Sequence, residues 1–298
     1  MVWFGYVEFS VEYVQGHRVG EMPLFIISML VSSVIMGGAL QMVWGADDPS
    51  IRLIVEDILS KPGKPVQLTA HLLRGRNGDP GGVEGEEIAF FVFGKEAGTA
   101  VTAKNGTALI EFSTPMRGNH PIKAVHLPSK AIPKVEGFGN LASWERRRPV
   151  LFIDVKTLLD GQGQEVTMEL TRKNWPTPRE GAIKELQKVG EFYYNVIYII
   201  WNHDVPKESL RDWLRMHEFP VGLTLVLEPG VTGLAGFIEG LQEKGWNNIE
   251  AGIGSTSEFA EVLVKHRILA VILPKTEGAK FPRRAKVISH WKYVRKHL

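Results

Sequence analysis

The chain contains no cysteine. That alone excludes disulfides, thiolate-bound zinc and thiol nucleophiles, and it leaves the redox compartment open. Nor is there an excess of charge of either sign: 35 Lys and Arg stand against 33 Asp and Glu, a formal +2. A dedicated nucleic-acid binder usually carries a basic excess gathered on one face, so no nucleic acid is expected as a partner. Hydrophobic residues at 44% and charged ones at 23% exclude disorder as an overall description. The 298 residues leave room for two domains of ordinary size and a short extra segment. One further absence is local. Between Met22 and Ala46 there is no charged residue.

That run, MPLFIISMLVSSVIMGGALQMVWGA, is long enough to cross a hydrocarbon core of about 30 Å as a helix. Arg18 precedes it and Asp47 and Asp48 follow, and positive charge tends to stay on the cytoplasmic side. The expectation is a cytoplasmic stub and transmembrane anchor over residues 1–46. The protein would make a single pass of the cell membrane through Met22–Ala46, with everything after Asp47 outside the cytoplasm. A signal peptide read from Met22 and cut near Gly45 or Ala46 is the alternative, giving a secreted or periplasmic protein. The uncharged start after Met22 favours the anchor. A buried core helix is the third reading of the run.

Residues 47–130 read as an all-β unit. In KPVQLTAHLLRG, Val66, Leu68, Ala70 and Leu72 alternate with polar neighbours, the period of a half-buried strand. IAFFVFG follows the loop GRNGDPGGVEG, then GTALIEF and NHPIKAVHL. Strands separated by turn signals, with no helical stretch between them, predict an antiparallel sandwich. Residues 131–149 are expected to be a linker. It carries Arg146, Arg147 and Arg148, which read as a solvated edge before a strand or as a patch for an acidic surface.

From residue 150 to 298 the pattern changes. The runs VLFIDV, NVIYIIW, GLTLVL, IEAGI and ILAVIL alternate with amphipathic stretches such as REGAIKELQKVGEF and SEFAEVLVKH. Strands alternating with helices predict a Rossmann-like parallel sheet covered on both faces. Thr177-Pro178-Arg179-Glu180 reads as a capping box opening the first helix. Gly245 reads as the stop after a helix ending at Lys244. The change of period near residue 149 predicts two separable folding units.

Two resemblances follow from these segments. The order of strands, above all NGTALIEFSTPMRGNHPIKAVH, resembles bacterial immunoglobulin-like domains of the invasin type. That resemblance implies a spacer or an adhesive platform. The second half carries a hydrophobic strand–Asp–x–x–Thr–Leu at 151–158, the YNVIYI strand and Trp213-Leu214 followed by FPVGLTLVL. It also has a G-x-G loop at 252–254 and a closing VISHWKYV helix. Together these resemble the haloacid dehalogenase-like phosphatases, most nearly the lipin-type phosphatidate phosphatase domain. The fold class is then α/β and haloacid dehalogenase-like, preceded by the sandwich and an N-terminal hydrophobic helix.

In that family an Asp attacks phosphorus, a second Asp two residues on serves as acid and base, and a Thr or Ser and a Lys hold the phosphoryl oxygens. A last acidic residue helps bind Mg²⁺. Here Asp154 matches the nucleophile, and Thr157 follows it. Lys156 replaces the second Asp, Ile200 the phosphate-binding Thr beside Asn202, and Phe259 the last acidic residue, flanked by Ser255 and Glu258. A lysine with an ordinary pKa near 10.4 is a poor proton shuttle near pH 7. It is expected instead to pair with Asp154. Ser255 through Glu258 also reads as a helix capping box. His203-Asp204 offers substitute acid/base chemistry or a polar loop, and Trp201 a packing residue. The expected function is a non-catalytic phosphatase-fold domain that binds or scaffolds in the envelope, with a lipid head group or an envelope protein as partner. No metal is expected, and Mg²⁺ only if phosphatase activity remains. A residual phosphohydrolase using Asp154 and a structural or adhesive protein are the rival readings.

Overall fold

The structure, a computed structural model, describes residues 51–75, 81–129, 132–160, 176–201, 207–275 and 278–298. The run Met22–Ala46 lies outside them, as do Asn202, His203 and Asp204. Among the described residues no helix is long and apolar enough to cross a membrane. Residues 47–298 cluster as one unit.

Nine strands come first: β1 (Ile51–Val55), β2 (Ile58–Ser60), β3 (Val66–Arg74), β4 (Gly81–Gly82), β5 (Glu87–Val92), β6 (Lys95–Val101), β7 (Thr107–Phe112), β8 (Gly118–His126) and β9 (Val135–Ser143). In one sheet β3 pairs antiparallel with β1, β4 and β7. The other runs β2-β9-β8-β5-β6. The alternation in β3 does what its period predicts. Leu68, Ala70 and Leu72 are buried against Ile88, Phe90, Ile122, Ala124 and Leu141 of the facing sheet, which makes a β sandwich with one core. Within residues 131–149, expected as a connection, Val135–Ser143 forms β9 and pairs with β8 along its whole length. Its sequence VEGFGNLAS holds two glycines and an asparagine, residues depleted in strands, so composition conceals it.

The second half supplies β10 (Val150–Asp154), α1 (Ala182–Phe192), β11 (Asn195–Ile200), α2 (Lys207–Met216), β12 (Leu223–Val226), α3 (Gly230–Glu243), β13 (Ile249–Gly254), α4 (Ser257–Lys265), β14 (Leu269–Ile272), β15 (Lys286–Val287) and α5 (Val294–His297). The six strands among its described residues are all parallel, in the order β12-β11-β10-β13-β14-β15. β10 is buried at every position because both faces are covered. Leu151 and Ile153 face α1, α2 and the chain's last turn, whereas Val150 and Phe152 face α3 and α4. The protein is therefore mixed α/β with a large share of sheet.

Three local expectations shift. α1 begins at Ala182, after Gly181 in the left-handed region (φ 79°), and not at a Thr177 cap. Residues 177–179 are spent on the segment after β10 instead: Asp160 N–H donates to the Thr177 carbonyl and Arg179 N–H to that of Leu158. VISHWKYV is not one helix. Val287 closes β15, Ile288 N–H donates to the Ile272 carbonyl, and a 3₁₀ turn at Trp291–Tyr293 follows. Gly252 and Gly254 belong to β13 itself, not to a loop. The stop at Gly245 holds: Gly245 N–H donates to Gln242 O and Trp246 N–H to Leu241 O, closing α3 in a Schellman arrangement.

Candidate functional site

From the central β10 the chain steps outward through β11 and β12, then returns to place β13 on the other side. Ligands of open parallel sheets bind at the carboxyl ends of strands where the order reverses, here beside β10 and β13. Asp154 ends β10 at that point, and Ser255 follows the last residue of β13. Ser255 Oγ lies 3.5 Å from Asp154 Oδ2, the outer limit of a hydrogen bond.

Asp154 is 1% exposed. Its Oδ1 accepts the Lys156 N–H at 3.2 Å, which makes it the N-cap of a 3₁₀ turn over Val155–Leu158. Its main-chain carbonyl accepts the Thr157 hydroxyl at 2.7 Å. Thr157 is fully buried, so its hydroxyl is committed to backbone. Lys156 is exposed, and among the described residues no ion pair joins its ammonium to Asp154. The expected pairing is corrected to this: Lys156 meets Asp154 through its backbone N–H. The two side chains diverge because the 3₁₀ turn tightens the chain immediately after β10.

Ile200 is buried in the core, and its carbonyl accepts the Leu227 N–H at 3.0 Å. Trp201 next to it is 1% exposed and donates from Nε1 to the Gly230 carbonyl at 2.9 Å, tying the end of β11 to the start of α3. Its ring packs on Phe259, with centroids 5.9 Å apart. Phe259 is fully buried. A Cβ added to Gly254 would stand 2.2 Å from Phe259 Cδ1, so the glycine is there to admit the ring. The cap of α4 is Thr256, whose Oγ1 accepts the Phe259 N–H at 3.2 Å, one residue beyond the Ser255 cap expected. Glu258 is exposed in the first turn of α4, where the helix dipole favours a carboxylate.

The donor set does not fit Mg²⁺, a hard cation that takes about six oxygen ligands. Asp154 already accepts a backbone N–H, Phe259 offers hydrocarbon, and among the described residues no three His, Asp or Glu side chains gather to hold a metal.

Of the three arginines, two are structural. Arg146 donates to the Lys244 carbonyl at the end of α3 and Arg148 to that of Gly190 near the end of α1, both favourable to the helix dipole. Burial pulls the Arg148 guanidinium below its ordinary value.

Two polar clusters escaped the sequence reading. His126 is fully buried in the sandwich, with Nδ1 3.1 Å from the Pro133 carbonyl and Nε2 2.8 Å from Glu86 Oε2. That hydrogen bond draws the Glu86 carboxyl below its usual range. The other is Asp57, whose side chain is 1% exposed between β1 and β2. Burial pushes its carboxyl above the usual range, against the opposing pull of Arg211 and Lys207. The only signal in sequence was an acidic pair, Glu56-Asp57, between two apolar strands.

No family model matches the chain, and no curated protein matches it. Among solved structures it is similar to the fibronectin(III)-like modules of Clostridium thermocellum CbhA. There the identity is 12% over 31% of this chain and 99% of that one, with a TM-score of 0.22. It is similar also to the D0-D1 domain of intimin at 19% identity, over 32% of this chain and 49% of that one, TM-score 0.23. A third is the endo-beta-1,4-mannanase of Thermotoga petrophila at 13% identity, over 34% of this chain and 21% of that one, TM-score 0.24. The chain thus spans about half of the intimin fragment and a fifth of the mannanase.

Proposed function

We propose that residues 150–298 are a haloacid dehalogenase-like domain that has given up phosphoryl transfer and serves in binding or scaffolding. In this reading it is joined to an immunoglobulin-like sandwich and held at the cell envelope by Met22–Ala46. The observation that carries the proposal is Phe259. Its buried ring, seated against Gly254 and Trp201, fills the position where the family carries its last acidic residue. Ile200 supports it, because hydrocarbon stands where a hydroxyl would hold phosphate. A lipid head group or an envelope protein is the proposed partner.

The test is the full chain assayed with Mg²⁺ on p-nitrophenyl phosphate and on phosphatidate vesicles. No turnover above the blank is expected. Turnover that disappears in Asp154→Asn would replace the proposal with an Asp-dependent phosphohydrolase, a reading favoured by the place of Asp154 and Ser255 at the reversal of strand order. Because Met22–Ala46 would float the chain with any vesicle, flotation that rises with phosphatidate content, without turnover, separates head-group binding from a purely structural or adhesive role. For localisation, a reporter active only after export is expected to score when fused after Leu298. A cytoplasm-only reporter scoring there would sink the envelope placement.

A further inference from the structure

Among the described residues the edge strand β12 has no strand on its outer side. An uncovered edge offers a row of N–H and C=O groups to any other strand, and folded proteins block such edges. Here the blocking groups come from the sandwich. Asn119 Nδ2 of β8 donates to the Val221 carbonyl at 2.7 Å, and Asn140 Nδ2 of β9 donates to that of Gly222 at 3.2 Å. Thr224 N–H donates to Asp57 Oδ2 at 2.6 Å. Val221 and Gly222, just before β12, and Thr224 within it thus meet sandwich side chains.

The same carboxylate reaches further. Asp57 Oδ1 accepts the Asn140 N–H at 2.8 Å and the Arg211 guanidinium at 2.5 Å. Arg211 lies on α2 and also donates to the Val55 carbonyl at 3.1 Å. One turn earlier on α2, Lys207 Nζ meets Glu56 Oε2 at 3.1 Å. Trp144 Nε1 donates to Asn119 Oδ1 at 3.0 Å, fixing the amide that faces Val221. Side chains of this polarity are expensive to bury without partners; among the described residues Asn140 Oδ1 and Arg211 Nε find none, while the other groups converge on Asp57 and Asn119.

We propose that the sandwich is the edge cover of the parallel sheet, with Asp57 as the latch that holds β12 and α2 to it. The two halves then form one mechanical unit, and the sandwich does more than space the second half from whatever precedes it. Opening the latch bares β12 and frees α2.

Amide hydrogen exchange on the full chain tests this, comparing wild type with Asp57→Ala and with the milder Asn119→Ala, which serves where the first fails to fold. Peptides covering β12 and α2 are expected to exchange at least about tenfold faster in the variants, a factor that corresponds to about 1.4 kcal/mol. Peptides covering β10 and β13 should keep the wild-type rate. Unchanged exchange at β12, or an equal rise in all strands, would overturn the proposal.

Discussion

Two buried aspartates sit at opposite ends of the same argument about what makes an acidic residue important. Asp154 ends the central strand of the parallel sheet. In the contacts that define its place it accepts one backbone N–H at 3.2 Å and faces a hydroxyl at 3.5 Å. Asp57 sits in the short link between β1 and β2 of the sandwich, yet accepts two backbone N–H groups at 2.8 and 2.6 Å and a guanidinium at 2.5 Å. The backbone contacts of Asp57 are the shorter ones, and its carboxylate also meets a guanidinium. A motif can mark where a fold places its chemistry, but the demand on a carboxylate comes from the groups that converge on it from elsewhere in the chain.

The sharpest way to break this comparison is to truncate both. Asp57→Ala leaves the Arg211 guanidinium without its anion and two backbone donors without an acceptor, and should cost about 3 kcal/mol. Asp154→Ala removes the cap of the 3₁₀ turn, which alone should cost about 1 kcal/mol. Urea unfolding of the full chain reads both, and equal losses would erase the distinction. Gly254→Ala should cost about 2 kcal/mol, since its methyl must displace the Phe259 ring. A silent Gly254→Ala would mean that the ring has room to move, and with it the candidate site.

The smallest effect is in pH dependence, where the junction and the sandwich interior differ in sign. Asp57 has a raised carboxyl, so its folded state holds the proton longer. Stability therefore falls as pH rises from the unfolded value, about 4, through the raised folded value, and is flat above it. Glu86 is lowered by the His126 hydrogen bond. Its contribution is present above its unfolded value and is lost as pH falls through the depressed folded value. Urea midpoints across the acidic range should lose the first slope in Asp57→Asn and the second in Glu86→Gln. If both variants keep the wild-type profile, neither group senses its neighbours as the geometry indicates.

Much of the fold was legible where one short-range pattern decides it. The alternation of Leu68, Ala70 and Leu72 fixed the inward face of β3, and the unbroken run VLFID marked a strand covered on both sides. Glycine after Lys244 ended α3 where a left-handed residue is needed. The pattern failed where a residue serves a distant partner. Thr177-Pro178-Arg179-Glu180 has the composition of a helix start, but its backbone pairs with the turn after β10. β9 has only Val135 and Phe138 as β-formers among its nine residues and is held by β8 and β2.

At the candidate site the sequence by itself determined which residue types are present and which are missing: Asp154 stands there, and Ile200 and Phe259 offer no oxygen. That follows from side-chain chemistry alone and needs no coordinates. Only tertiary structure decided that Lys156 turns outward while its N–H serves Asp154, that Phe259 fills the space above Gly254, and that Asp57 joins β9, β12 and α2. The Asp57 contacts join groups 83 to 167 residues apart, a separation over which composition and periodicity carry no information because both report only on neighbours along the backbone.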